Sequence, residues 1–313
     1  MPAPAHPAPP RDPTPRGAAL RRLAARAPRL ARPLDAAILL EQHRAHHGRW
    51  PRLVVPATFN DWVFRRLLLD RNPLLRVLCD KLAVRDHVRA TLGRDIAVPL
   101  LAVCDRPEDL PWDRLPRAFV LKASHGSGFN VVVEDRDAVD RGAMAARLRA
   151  CLAVDYYEMR REWGYRGIPR RRLVEPLLRS PGEFVLPDWK FHCFGGEPRV
   201  LHVVRMDRAL RRSVSLFTMA GRHLPVTYSE PRGPPTLPPG DLPALAAVAR
   251  RLAQGFDYLR VDLYCLDGQV RFGELTPYLG AGLFRFDPPE FDAWMGALWT
   301  AARRGTLPPP PPG

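Results

Sequence analysis

A strand that runs straight into a loop of glycines and small hydroxyls constrains this chain more than any other stretch. It covers residues 118–130, AFVLKASHGSGFN. Phe119, Val120 and Leu121 read as a short buried strand, because β-branched and aromatic residues precede turn formers. Lys122 sits at the strand's end, and Ser124, His125, Gly126, Ser127 and Gly128 follow as a loop rich in backbone N–H groups. Glycines let such a backbone approach phosphate oxygens, and a nearby ammonium adds a compact positive charge. The spacing does not fit the Walker pattern, in which Lys and Ser/Thr directly follow the last glycine. Taken alone, the stretch reads equally well as a plain strand–turn–strand hairpin.

The chain's 313 residues suffice for two or three lobes with a substantial core. No run approaches the roughly 18 apolar residues that span a bilayer, and the N-terminus has no apolar signal core. The five cysteines, Cys79, Cys104, Cys151, Cys193 and Cys265, form no C-x-x-C pair. That argues against a disulfide framework or a zinc site and favours a reducing cytoplasm. A net charge of +15 raises nucleic acid as a partner. The distribution argues against it: residues 1–34 hold seven arginines and one aspartate, and the remaining charge is dispersed without a basic–aromatic stripe. A basic nucleic-acid-binding or scaffold protein therefore stands only as a rival of another class. Lysine occurs at Lys81, Lys122 and Lys190, against 45 arginines. An ammonium differs from a guanidinium in reach and geometry, so these three positions stand out, with chance retention as the plain alternative.

Residues 1–34 are a Pro/Ala/Arg leader too poor in apolar surface to offset chain entropy, expected to be disordered apart from a frayed helix near 18–30. A helical pattern covers residues 34–47, and residues 53–93 hold two or more amphipathic helices. Asp80-Lys81 opens the last of these and Gly93 closes it. Residues 97–103 read as a buried strand and 130–133 as the hairpin return of the organising strand. Residues 138–151 are an amphipathic helix, and 155–172 are irregular. Residues 172–178 form a strand running into a connector. Hairpins are expected at 189–205 and 259–275, a strand at 213–219, helices at 242–254 and 291–303, and a polyproline tail at the end.

The second hairpin turns at Asp267-Gly268, a strong type I′ signal. It puts two acids, Asp262 and Glu274, nearly opposite one another on paired strands. Adjacent carboxylates repel unless a cation or proton lies between them, and a hard divalent ion shared with phosphate oxygens answers that need. Arg260 shares the face of Asp262 because strand side chains alternate. The alternative is a buried Arg–Asp pair with Glu274 at an exposed edge.

Four blocks, DKLAVR, FVLKASHGSG, DWKFHCFGGEP and RVDLY…FGELT, occur in this order, within a likeness that covers roughly residues 73–286. Together they resemble the TupA-like ATP-grasp proteins of polysaccharide and teichuronopeptide gene sets. The resemblance implies an α+β fold in which two α+β lobes clamp ATP behind a small helical N-terminal region. The divisions are 1–34 leader, 35–115 helical region with one strand, 116–175 first lobe, 176–303 second lobe with the metal site, and 304–313 tail. It implies that Lys122 and Lys81 contact phosphates, with Ser124, His125, Gly126, Ser127 and Gly128 as a lid. Glu175, Pro176 and Leu177 belong to a connector against adenine. Asp188, with Glu183 as second choice, takes the ribose hydroxyls. Lys190 faces the phosphates, Arg205 and Arg260 steady charge at the reacting centre, and Asp262, Glu274 and Thr276 hold Mg²⁺. Many ATP-grasp enzymes carry Asn where Thr276 stands. His125 and His192 read more simply as loop or core histidines.

The implied activity is an ATP- and Mg²⁺-dependent carboxylate–amine ligase acting through an acyl phosphate on a small-molecule acid and amine, or on a saccharide or peptide acceptor. Association with membrane-bound polysaccharide machinery is a further expectation. A kinase or a glycosyltransferase-associated protein on the same fold is the alternative.

Overall fold

The computed structural model describes residues 14–26, 31–179, 185–207, 209, 211–228 and 230–308. The second half's alternating pattern and the organising strand resolve into two antiparallel sheets. The smaller has four strands in the order β1-β4-β2-β3: β1 Ala102–Cys104, β2 Phe119–Ala123, β3 Val131–Val133 and β4 Arg172–Pro176. Strands β2 and β3 form the expected hairpin, with Leu121 opposite Val131. The larger has six strands in the order β10-β9-β5-β6-β7-β8: β5 Asp188–Phe194, β6 Glu197–Met206, β7 Arg212–Thr218, β8 His223–Leu224, β9 Tyr258–Leu266 and β10 Gln269–Thr276. The chain passes from the small sheet to the large one between β4 and β5, where the connector was expected.

Three helices, α3 Phe59–Leu69, α4 Leu74–Cys79 and α5 Ala83–Leu92, fill the region read as helical, after α1 Pro15–Arg26 and α2 Ala31–His47. Asp80 Oδ1 accepts the N–H of Leu82 at 2.8 Å, and Gly93 closes α5 at φ 70°, so this helix is bounded as its sequence dictates. Helices α6 Arg141–Ala153 and α7 Tyr156–Arg160 cover the first lobe, α8 Leu242–Ala253 lies on the large sheet, and α9 Glu290–Arg304 crosses α3. Gly296 is required at that crossing, because a Cβ there would meet the Thr58 carbonyl carbon at 2.5 Å.

The large sheet has two distinct faces. Phe191 and Cys193 of β5 are buried, with Cys193 Sγ 4.0 Å from the Ala249 carbonyl of α8. Lys190 and His192 alternate onto the other face, opposite His202 and Val200 of β6 and Asp262 and Arg260 of β9. A sheet face lined by charge is held in place by an apolar core behind it.

Several expectations are corrected. The leader contains an ordered helix over Pro15–Arg26, with Ala24 buried, because α2 gives its apolar stripe something to cover. Residues 1–13 and 27–30, and the tail beyond Pro308, lie outside the described residues. The strand expected at 97–103 is reduced to Ala102–Cys104 and a bridge from Ala97 to Phe272. Pro99 lacks the N–H that a continuous ladder needs. That short β1 pairs with β4, so the N-terminal region's strand belongs to the first lobe's sheet. Residues 155–172 hold α7 and a 3-10 turn at Trp163–Tyr165; Asp155 caps α7 by accepting the Glu158 N–H at 3.0 Å.

Candidate nucleotide-binding and metal site

The site is built around a β-bulge. Counted outward from the Asp267-Gly268 turn, Leu266 faces Gln269, Cys265 faces Val270, Tyr264 faces Arg271 and Leu263 faces Phe272. An unbroken ladder would then put Gly273 opposite Asp262 and turn Glu274 to the other face. The register instead slips between Phe272 and Glu274, so Glu274 faces Asp262 and Thr276 faces Arg260. Glycine is needed at the slip: a Cβ on Gly273 would lie 3.0 Å from the Asp262 carbonyl and 3.2 Å from the Tyr264 ring.

Asp262 is 2% exposed. Its Oδ1 accepts from Arg260 Nε at 2.7 Å, and its Oδ2 accepts from Arg260 Nη2 at 2.7 Å and from Lys190 Nζ at 2.5 Å. Burial pushes its pKa up, and the Arg260 and Lys190 charges outweigh that, holding the carboxyl below its ordinary value. Arg260 also donates to Thr276 Oγ1 at 2.9 Å. Lys190 reaches Asp188 Oδ2 at 3.0 Å. The Arg–Asp pair is therefore present, as the alternative reading of the sequence has it. Glu274 lies on the edge strand, but it faces Asp262 in register.

Glu274 has a side chain 27% exposed, and its carboxylate is 3.5 Å from Lys81 Nζ. Lys81 also donates to the Gly126 carbonyl at 2.9 Å, and its backbone N–H donates to Ser124 O at 3.2 Å. One lysine, at the junction of α4 and α5, thus ties the glycine loop of the first lobe to an acid of the second. Lys122, on β2, pairs with Glu175 Oε2 at 2.6 Å, and Arg85 approaches the other oxygen at 3.6 Å. Burial raises the Tyr264 pKa, and Asp188, Glu175 and Asp262 raise it further.

Other residues singled out in the sequence lie differently. Ser124 is buried, donating to Pro169 O at 2.6 Å and accepting from Arg171 N at 2.9 Å. His125 is buried against Phe129, ring centroids 5.7 Å apart, and burial pushes its pKa down to about 4. Gly126 is packed so closely that a Cβ would fall 2.6 Å from Phe129 and 2.7 Å from Tyr156. Only Ser127 and Gly128 form an exposed tip, so the lid is shorter than its sequence suggests. Arg205 falls on the sheet face opposite Lys190 in register and donates to Thr236 O at 2.8 Å, so it is not brought to the acids. Pro176 ends β4 and Leu177 follows in the connector. Glu183 lies outside the described residues. His192 accepts or donates at Tyr258 Oη, 3.0 Å away, and burial pushes its pKa down to about 3, consistent with a core histidine.

Among the described residues no three His, Cys, Asp or Glu side chains converge as a metal-binding group. The donors present are one buried acid, one half-open acid and a hydroxyl, all oxygen. That set fits a hard ion that arrives with phosphate ligands, as Mg²⁺ commonly does, rather than a resident metal.

A family model described as TupA-like ATPgrasp matches residues 61–300. The chain belongs to the TupA-like ATP-grasp family. It is thus an ATP-dependent ligase of the ATP-grasp superfamily. No curated protein matches. Among solved structures, the chain is similar to the ATP-grasp ligase PsnB complexed with its minimal precursor, at 15% identity and a TM-score of 0.45, covering 90% of this chain and 72% of that one. It is also similar to a RimK-domain ATP-grasp protein from Sphaerobacter thermophilus DSM 20745, at 16% identity and a TM-score of 0.41, covering 75% and 70%. A D-alanine–D-alanine ligase from Bacillus anthracis complexed with ATP aligns at 14% identity and a TM-score of 0.39, covering 73% and 68%. No described helix of this TupA-like ATP-grasp protein is long and apolar enough to cross a membrane.

Proposed function

We propose that this protein is an ATP- and Mg²⁺-dependent carboxylate–amine ligase that works through an acyl phosphate. One observation carries the reading. Asp262 and Glu274 stand opposite each other, with Arg260 and Lys190 on the first and Lys81 linking the second to the glycine loop. Phosphate oxygens are the natural competitors for three cations now paired with carboxylates and a carbonyl. Lys122 and Lys81 bind the phosphates in this account, and the backbone N–H groups at Ser127 and Gly128 cover them. Asp188 takes the ribose hydroxyls, and the connector from Glu175 through Leu177 runs along the adenine.

Glu274 and Asp262 would hold Mg²⁺, with Thr276 as a further oxygen donor. The ion supplies positive charge shared among the phosphate oxygens. Arg260 and Lys190 steady negative charge as an acceptor carboxylate attacks the γ-phosphorus and ADP leaves. An amine nitrogen then attacks the acyl carbon, the C–N bond forms, inorganic phosphate leaves and the amine gives up a proton. The loop from Tyr278 to Gly282 lines the side on which the substrates bind. Its family points to an acid and an amine drawn from cell-surface polysaccharide or a peptide attached to it.

The test is product mass and nucleotide balance across a panel of amino acids and sugar acids. A ligase joins two substrates with loss of water and releases ADP and phosphate only when both are present. A product heavier by one phosphoryl group would make the protein a kinase, and turnover without ATP would remove the proposal.

A further inference from the structure

Glu162 caps the 3-10 turn Trp163–Tyr165, directly after α7. It is 5% exposed, and its carboxylate forms no hydrogen bond or ion pair among the described residues. Tyr278, 2% exposed, has a hydroxyl with no hydrogen-bond partner. The turn and this tyrosine pack together: a Cβ on Gly164 would lie 2.9 Å from the Tyr278 ring and 2.6 Å from Cys79 Sγ. Tyr156 and Tyr165 lie within the field of Glu162, their rings 4.5 Å apart. The Tyr278 hydroxyl is a buried polar atom left without a partner, and such an atom costs stability without structural return. A buried acid with a raised pKa, beside a tyrosine whose hydroxyl is unpartnered, is a candidate for a binding site.

We propose that Glu162 and Tyr278, walled by Tyr156 and Tyr165, receive the ammonium group of the amine substrate. The inference rests on the ligase reading for the word substrate, but the site itself does not. Charge selects the ligand. Glu162 lies within the field of Glu274, so an anionic acid or phosphate is repelled here. Of the nearby cations, Lys81 is committed to Gly126 O and Glu274, and Arg160 is not within ion-pair distance of Glu162. A primary ammonium has three N–H donors for a carboxylate and a phenol oxygen, and aromatic faces attract it. Burial raises the Glu162 pKa to about 8, so ammonium binding displaces a proton and strengthens as pH rises through that value.

Ethylammonium chloride at tens of millimolar, against sodium chloride at equal ionic strength, is the probe. The readout is the melting temperature of the full chain. Ethylammonium raises it by about one to three degrees, because it binds the folded form alone, and raises it more above pH 8 than below. Glu162→Gln abolishes the increase, and Tyr278→Phe reduces it. Glu162→Gln also leaves the unliganded protein as stable or more stable, which a structural glutamate would not. No response to ethylammonium in the native chain, or a response in both variants equal to that of the native chain, overturns the site. Mg²⁺ with a non-hydrolysable ATP analogue is titrated separately. Its failure to stabilise the native chain would count against the ligase reading and leave the ammonium result standing.

Discussion

Glu274 faces Asp262 across β9 and β10 because the ladder slips by one residue at Gly273. Without the slip, the second acid would point into the opposite side of the sheet. The active face therefore depends on a local defect in pairing, at the edge of a sheet whose other strands run regularly.

Replacing Gly273 by alanine tests that dependence. The new Cβ would press on the Asp262 carbonyl at 3.0 Å. The expected stability loss is about 1 kcal/mol, small beside an expected loss of roughly tenfold or more in turnover as Glu274 is re-aimed. Denaturant unfolding and ADP release measure the two separately.

The two acids differ in what they hold. Asp262→Asn removes the partner of two buried cations and is expected to cost roughly 3–5 kcal/mol. Glu274→Gln disturbs one 3.5 Å contact on a half-open side chain, and its stability cost is expected within about 1 kcal/mol. Both are expected to abolish ligation. Equal stability losses in the two variants would contradict the assignment.

The glycine loop divides in the same way. Ser124→Ala removes two hydrogen bonds that tie the loop to Pro169 and Arg171, costing about 1–3 kcal/mol and changing the KM for ATP little. Ser127→Pro, at the exposed tip, removes one of the backbone N–H groups assigned to the phosphates and raises that KM several-fold.

Stability also depends on pH through Glu162. In the folded chain it keeps its proton up to about pH 8, against an ordinary value of 4.5. Burial is the main cause; Glu274 pushes in the same direction and Arg160 opposes it. The surrounding Cys79, Tyr156, Tyr165 and Tyr278 are themselves raised by burial and stay neutral. Between those values the folded state binds the extra proton, so stability falls as pH rises from about 4.5 to about 8, then levels. The loss is on the order of a few kcal/mol. Melting curves of the native chain and Glu162→Gln should converge at low pH and separate toward pH 8.

Much of this was legible in the residues. Asp267-Gly268 fixed the hairpin, with φ of 50° and 73° at the turn, and alternation put Arg260 beside Asp262. The bulge was not legible, because nothing in RFGEL declares which residue will be left unpaired. Ser124 looked like a phosphate ligand because its hydroxyl sits in a glycine loop; its partners come from residues 45 and 47 positions away, which local pattern does not reveal. Arg205 was assigned from the family resemblance, and its register on β6 turns it to the other face. Glu162 was missed inside a segment read as irregular. The only signal was an acid set among Tyr156, Tyr157, Trp163 and Tyr165, in a stretch too aromatic to be solvent-exposed.

The most direct measurement of the central claim is calorimetric titration of a non-hydrolysable ATP analogue, with and without Mg²⁺, into the native chain, Lys122→Ala and Glu274→Gln. One site per chain is expected, with affinity reduced roughly tenfold or more by Lys122→Ala and its dependence on Mg²⁺ removed by Glu274→Gln. No binding to the native chain, or binding to both variants that matches the native chain, would contradict a triphosphate clamped between the two lobes.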